Sequence, residues 1–88
     1  MRDSVYTNRF VKDVELAKKR GKNIEKLKLV ATRLVNDEQL ENKHRDHQLI
    51  GDYTERRECH IEPDWLLIYK RETNQIVFER TGTHSDLF

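Results

Sequence analysis

The apolar residues of this chain change period once, and that change dictates most of what it can fold into. Over residues 8–20, Phe10, Val14 and Ala17 recur at i, i+4 and i+7. Over residues 24–36, Ile24, Leu27, Val30, Ala31, Leu34 and Val35 form one stripe. Such spacing puts the apolar side chains on one face of a helix. After residue 53 the pattern shortens to TERRECHI, WLLIYK and IVFER, which alternate or are continuously apolar. Those are strand patterns, and the continuous run Trp65–Lys70 reads as a central, well-buried strand.

The residues between these runs punctuate them. Ser4-Val5-Tyr6 reads as a short first strand, and Thr7 or Asn8 as the N-cap of the first helix. Lys18-Lys19-Arg20 suits the negative end of that helix, and Gly21 the position just past it. Asn23 then caps the second helix, so the two form an antiparallel hairpin. Residues 37–53 are polar and aperiodic, with Gly51 near their end, and are expected to be a loop. In residues 54–61, Arg56, Glu58 and His60 share one face of a strand; Arg57, Cys59 and Ile61 share the other. Glu62-Pro63-Asp64 and Glu72-Thr73-Asn74-Gln75 are turns, and Gly82 ends the last strand, Ile76–Arg80. The expectation is one α+β domain over residues 1–88, in the order β-α-α-β-β-β, with an N-terminal helical hairpin packed on a small antiparallel sheet.

Composition narrows the function classes. No stretch approaches the ~20 apolar residues that span a bilayer, and MRDSVYTNRF lacks the apolar core of a secretion signal. The single cysteine, Cys59, cannot form an internal disulfide and fits a reducing cytoplasm. Net charge is +1, unevenly spread. Residues 1–34 hold ten basic and four acidic side chains (+6), residues 35–64 four and nine (−5), and residues 65–88 three of each. The basic half reads as the solvated faces of two helices, with a local docking face for phosphates or an acidic partner as the alternative.

The chemistry-bearing residues gather in the second half. One cysteine and scattered histidines (His44 and His47 three apart, Cys59 beside His60 but on the opposite strand face) do not make a zinc site, so no metal or cofactor is expected. Cys59 faces the core and reads as an inert thiol. No glycine-rich loop resembles a phosphate-binding one. What remains is His47, His60 and His84 with Asp64. The Pro63 turn brings Asp64 near His60, and the last strand runs back toward the same region carrying His84. Histidine, aspartate and nearby arginines such as Arg57 and Arg80 are the groups that cleave RNA through its own 2′-hydroxyl.

Four stretches then acquire a further meaning: FVKDVELAKKRGKNIEKL, DHQLIGDY, RECHIEPDWLLIYK and FERTGTHSDLF. Together they resemble the RelE/ParE superfamily of bacterial toxins, and most closely its YafQ-like branch, over nearly the whole chain. The resemblance implies the RelE-like fold and a type II toxin–antitoxin toxin. It implies an endoribonuclease (mRNA interferase) that cuts mRNA in the A site of the 70S ribosome without a metal and so inhibits translation. It further implies a cytoplasmic protein neutralised by a DinJ/RelB-like antitoxin, touching operator DNA only through that complex, with no membrane partner. By the same resemblance His84 is the principal acid or base, and His47, His60 and Asp64 are the other catalytic positions. Phe88 helps hold the substrate; Arg57 and Trp65 fall in the motif as further substrate contacts, with core packing the other role for Trp65. The alternative is a ParE-like toxin that poisons DNA gyrase without nuclease activity, which has no need of the histidine and aspartate set. A relative that only binds an antitoxin is a third reading.

Overall fold

The computed structural model describes residues 2–49 and 55–88. The end of the expected loop, with Gly51, and the first residue of the expected strand, Thr54, lie outside the described residues. The chain runs β1 (Asp3–Tyr6), α1 (Asn8–Lys19), α2 (Ile24–Val35), a short 3-10 turn (Asn42–His44), β2 (His47–Gln48), β3 (Arg57–Glu62), β4 (Trp65–Arg71), β5 (Gln75–Gly82) and α3 (His84–Leu87).

Local chemistry sets the helix ends. The Thr7 hydroxyl accepts the Phe10 N–H at 3.0 Å and donates to the Glu79 carbonyl at 2.9 Å, so one side chain both caps α1 and ties it to β5. The Asn23 side chain caps α2 by accepting the Glu25 N–H at 3.1 Å. Past α1, Gly21 takes φ +78°. Gly21 N–H returns to the Lys18 carbonyl and Lys22 N–H to the Ala17 carbonyl, each at 3.0 Å. This is the glycine-ended closure that satisfies a helix's last carbonyls.

Among the described residues the sheet has five strands in the order β1-β5-β4-β3-β2. Its pairings are antiparallel except that β1 lies parallel to β5. Two features go beyond the sequence reading. β1 joins in parallel because the helical hairpin intervenes between it and the rest of the sheet. The stretch read as a uniform loop contributes β2, a two-residue edge strand pairing His47 with Glu58.

β4 is central, and all five residues from Trp65 to Tyr69 are buried. Trp65, Leu67 and Tyr69 face the helices, in a core with Phe10, Ala17, Leu27, Val30, Leu34, Cys59, Ile61 and Phe78. Leu66 and Ile68 face the other way and meet Leu87 of α3 and Leu49. Burial on both faces explains why this run is continuously apolar. Helices cover one face of the sheet, and α3 covers only part of the other.

Candidate active site

The histidines gather on the face away from the helical hairpin. Alternation places Glu58 and His60 there, because their cross-strand partners are Ile68 and Leu66. His47 reaches the same face from β2 through its pairing with Glu58. His84 arrives from α3, whose Leu87 packs onto Leu66 and Ile68.

Asp64, in the turn between β3 and β4, organises His84. A single oxygen, Oδ1, accepts the His84 backbone N–H at 2.9 Å and the ring Nδ1–H at 2.7 Å. These two contacts, the backbone one first, hold the Asp64 carboxyl below the usual carboxylate range; Lys22 adds a smaller effect of the same sign. With Nδ1 committed to Asp64, His84 presents Nε2 as the free nitrogen for proton transfer. The His60 ring lies 5.7 Å from the His84 ring, centroid to centroid, tilted by 54°.

Glu58 is the residue the sequence reading passed over. Its carboxylate is buried, at 6% exposure, and Oε1 lies 3.4 Å from His60 Nε2 and 3.6 Å from His47 Nε2. A buried carboxylate needs partners, and these two rings supply them. The second nitrogen of each ring also meets an oxygen: His60 Nδ1 the Pro63 carbonyl at 3.3 Å, and His47 Nδ1 the Arg45 carbonyl at 2.6 Å. The readable signal was the alternation that puts Glu58 and His60 on one face.

Other expected residues lie elsewhere. Arg57 is on the helix-side face, opposite His60: its Nε donates to Asp46 Oδ1 and to the Tyr69 hydroxyl, both at 3.3 Å. Tyr69 donates to the same Asp46 oxygen at 2.6 Å, so Arg57 belongs to a tether for the segment before β2. Arg80 is held by Asp13 of α1 at 2.7 Å. Trp65 cannot stack on a base from where it stands: it is 1% exposed, and its Nε1–H donates to Thr81 Oγ1 at 3.0 Å. Its place in the motif is structural. His44 is also structural, buried with Nδ1 donating to the His60 carbonyl at 2.7 Å. Cys59 is fully buried, and burial pushes its thiol well above the usual range, so it stays unreactive. Phe88 is 62% exposed, just past the end of α3.

Lys22 is a cation that the sequence reading did not single out. Its Nζ lies 5.8 Å over the Trp65 ring and 3.4 Å from Glu62 Oε1, and its charge is felt at Asp64. Among the described residues no group of three or more His, Cys, Asp or Glu side chains is arranged to hold a metal ion. No helix among them is long and apolar enough to cross a membrane.

Comparison with known proteins gives this arrangement its context. A family model described as "Bacterial toxin of type II toxin-antitoxin system, YafQ" matches residues 2–88. The chain belongs to the YafQ toxin family. It is 47% identical over 88 residues to the mRNA interferase toxin YafQ of Escherichia coli strain K12, covering 99% of this chain and 96% of that protein. The crystal structure of YafQ from E. coli BL21(DE3) superposes with a TM-score of 0.94 at 45% identity, covering 100% of this chain and 99% of that one. YafQ in the crystal structure of the E. coli DinJ-YafQ toxin-antitoxin complex superposes with a TM-score of 0.92 at 46% identity, over 99% and 97% of the two chains. The α+β architecture expected from the residue pattern, and the RelE-like fold that the resemblance implied, are therefore borne out by these neighbours.

Proposed function

We propose that this protein is an endoribonuclease toxin that cuts mRNA in the ribosomal A site by metal-independent acid/base catalysis. The observation that carries the reading is the Asp64–His84 pair facing His60 on an accessible sheet face. The name of the E. coli relative, mRNA interferase toxin YafQ, supports the substrate class. The DinJ-YafQ complex supports a DinJ/RelB-like antitoxin as the neutralising partner.

The proposed chemistry needs one base and one acid. One imidazole removes the 2′-hydroxyl proton as that oxygen attacks the adjacent phosphorus. A second imidazole gives a proton to the 5′-oxygen as its bond to phosphorus breaks. The products are a 2′,3′-cyclic phosphate and a free 5′-hydroxyl. His84 Nε2 serves one of these roles, because Asp64 fixes the ring and its tautomer through Nδ1. His60 is the candidate for the other; its ring nitrogens meet Glu58 and the Pro63 carbonyl here, so proton transfer requires it to exchange one of these contacts for the substrate. Glu58 holds His60 and His47 in register, and Phe88 stacks on a substrate base. Imidazolium offsets the charge that builds on the phosphorane, so the proposed step needs no metal.

The test is primer extension on mRNA from translating cells with and without induction. Wild type yields new 5′ ends within codons; a folded His84→Ala protein, still bound by antitoxin, yields none and does not arrest growth. Growth arrest with DNA-damage signalling and uncut mRNA contradicts this reading and favours a gyrase poison. Full toxicity from folded His84→Ala contradicts the role of His84.

A further inference from the structure

We propose that Arg20, at the end of α1, is a positioning residue for His84 and acts through Asp86 of α3. The proposal rests on His84 being the proton-transfer residue. It starts from the smallness of α3, which is four residues long with one buried side chain, Leu87. A single helical turn has no stability of its own. The position of His84 is therefore set by what ties α3 down.

Asp64 holds His84 directly and Leu87 packs on the sheet; Asp86 closes the turn and ties it to α1. Its Oδ2 accepts the Thr83 N–H at 3.0 Å, and the Thr83 hydroxyl accepts the Asp86 N–H at 3.2 Å, closing a capping box. The same carboxylate takes both arms of the Arg20 guanidinium, NH1 to Oδ2 at 2.6 Å and NH2 to Oδ1 at 3.3 Å. A two-pronged contact fixes orientation as well as distance. Arg20 itself is well placed, because it closes α1 just before the Gly21 reversal. Gly82 makes room for the arrangement: a Cβ there would lie 3.0 Å from both Cβ and Oδ2 of Asp86.

The pair is largely solvent-facing, with side chains 42% and 26% exposed. An ion pair in that setting contributes little to overall stability. Its consequence is geometric: it links the helical hairpin on one side of the sheet to the one-turn helix that carries His84. Small displacements of a catalytic group lower the rate of the chemical step far more than they lower stability.

The experiment compares Arg20→Ala, Arg20→Lys and His84→Ala in cleavage of mRNA on purified ribosomes. It adds thermal melts and 13C NMR titration of the Asp64 carboxyl. For Arg20→Ala the expected result is a kcat lower by about 10-fold with KM within about 2-fold, and a Tm within about 2 °C of wild type. The Asp64 titration moves up toward the ordinary carboxylate value as its His84 contacts loosen, with Lys22 still in place. Arg20→Lys, which keeps the charge but not the fork, recovers part of the lost kcat. Unchanged kcat in Arg20→Ala overturns the proposal. So does a fall in kcat that tracks a fall in Tm while the Asp64 titration stays put. Cleavage by His84→Ala at the wild-type rate overturns the underlying reading instead, whatever Arg20 does.

Discussion

At Asp64 one carboxylate oxygen holds both the backbone and the ring of His84. Replacing it with asparagine keeps an acceptor but removes the charge that orients the ring. Asp64→Asn should lower single-turnover cleavage by about 100-fold or more while leaving the melt unchanged, because the pair is exposed. The pH dependence has a definite sign. The carboxyl sits below its ordinary value of 3.8, so its contact with His84 is complete above that pH and is lost as pH falls through the lower folded-state value. Any acid loss of activity well above pH 4 therefore belongs to another group. Trp65 presents the opposite case. Trp65→Phe removes the indole donor to Thr81 and some buried area, and should cost about 1–3 kcal/mol in urea denaturation. Cleavage by the folded variant should stay within a few-fold of wild type; a large loss would show that the indole contacts RNA. At this scale the sequence was legible where alternation spoke: Cys59 inward, His60 outward. It placed Glu58 on the face of His60 but not its role, because a carboxylate between two histidines becomes visible only when β2 pairs with β3.

Elements were legible in proportion to their length. The two long helices, their caps and the three long strands carry periodic patterns, and each stands within about three residues of its expected bounds. β2 and α3 were not foreseen, since two and four residues are too few to show a period. Both are nevertheless what bring His47 and His84 to the site, so the shortest elements hold two of its three histidines. The parallel seating of β1 was also invisible, because pairing direction is a tertiary choice. Gly21 offers a clean test of element-level reasoning. Among the described residues nothing beyond its chain neighbours lies within 4 Å of the place a Cβ would occupy, so a substitution there meets the backbone penalty of φ +78°. Gly21→Ala should lower unfolding free energy by about 1 kcal/mol in chemical denaturation. A neutral or stabilising result would mean that α1 does not end in this conformation.

For the whole molecule, near-neutral charge conceals a division of labour. The basic helical half includes Lys22 and Lys26, which are engaged by Glu62 close to the catalytic face, while other lysines of α1 and α2 stand in solvent. Attraction to ribosomal phosphates is set by charge within about a Debye length, ~8 Å at physiological salt, so a molecule with net charge +1 can still dock through one face. The fold places the proposed catalytic groups on the sheet face opposite its helices, so on the proposed reading docking and cutting need not compete for the same surface. The most direct test of the central claim is cleavage of one mRNA by purified protein, free and in the A site of 70S ribosomes. The protein is stripped with EDTA beforehand, and magnesium is supplied only for the ribosome. The account predicts cuts confined to the A-site codon of ribosome-bound mRNA, leaving 2′,3′-cyclic phosphate and 5′-hydroxyl ends, and absent with His84→Ala. Cutting of free mRNA at the same rate, or activity restored only by added zinc, would contradict it.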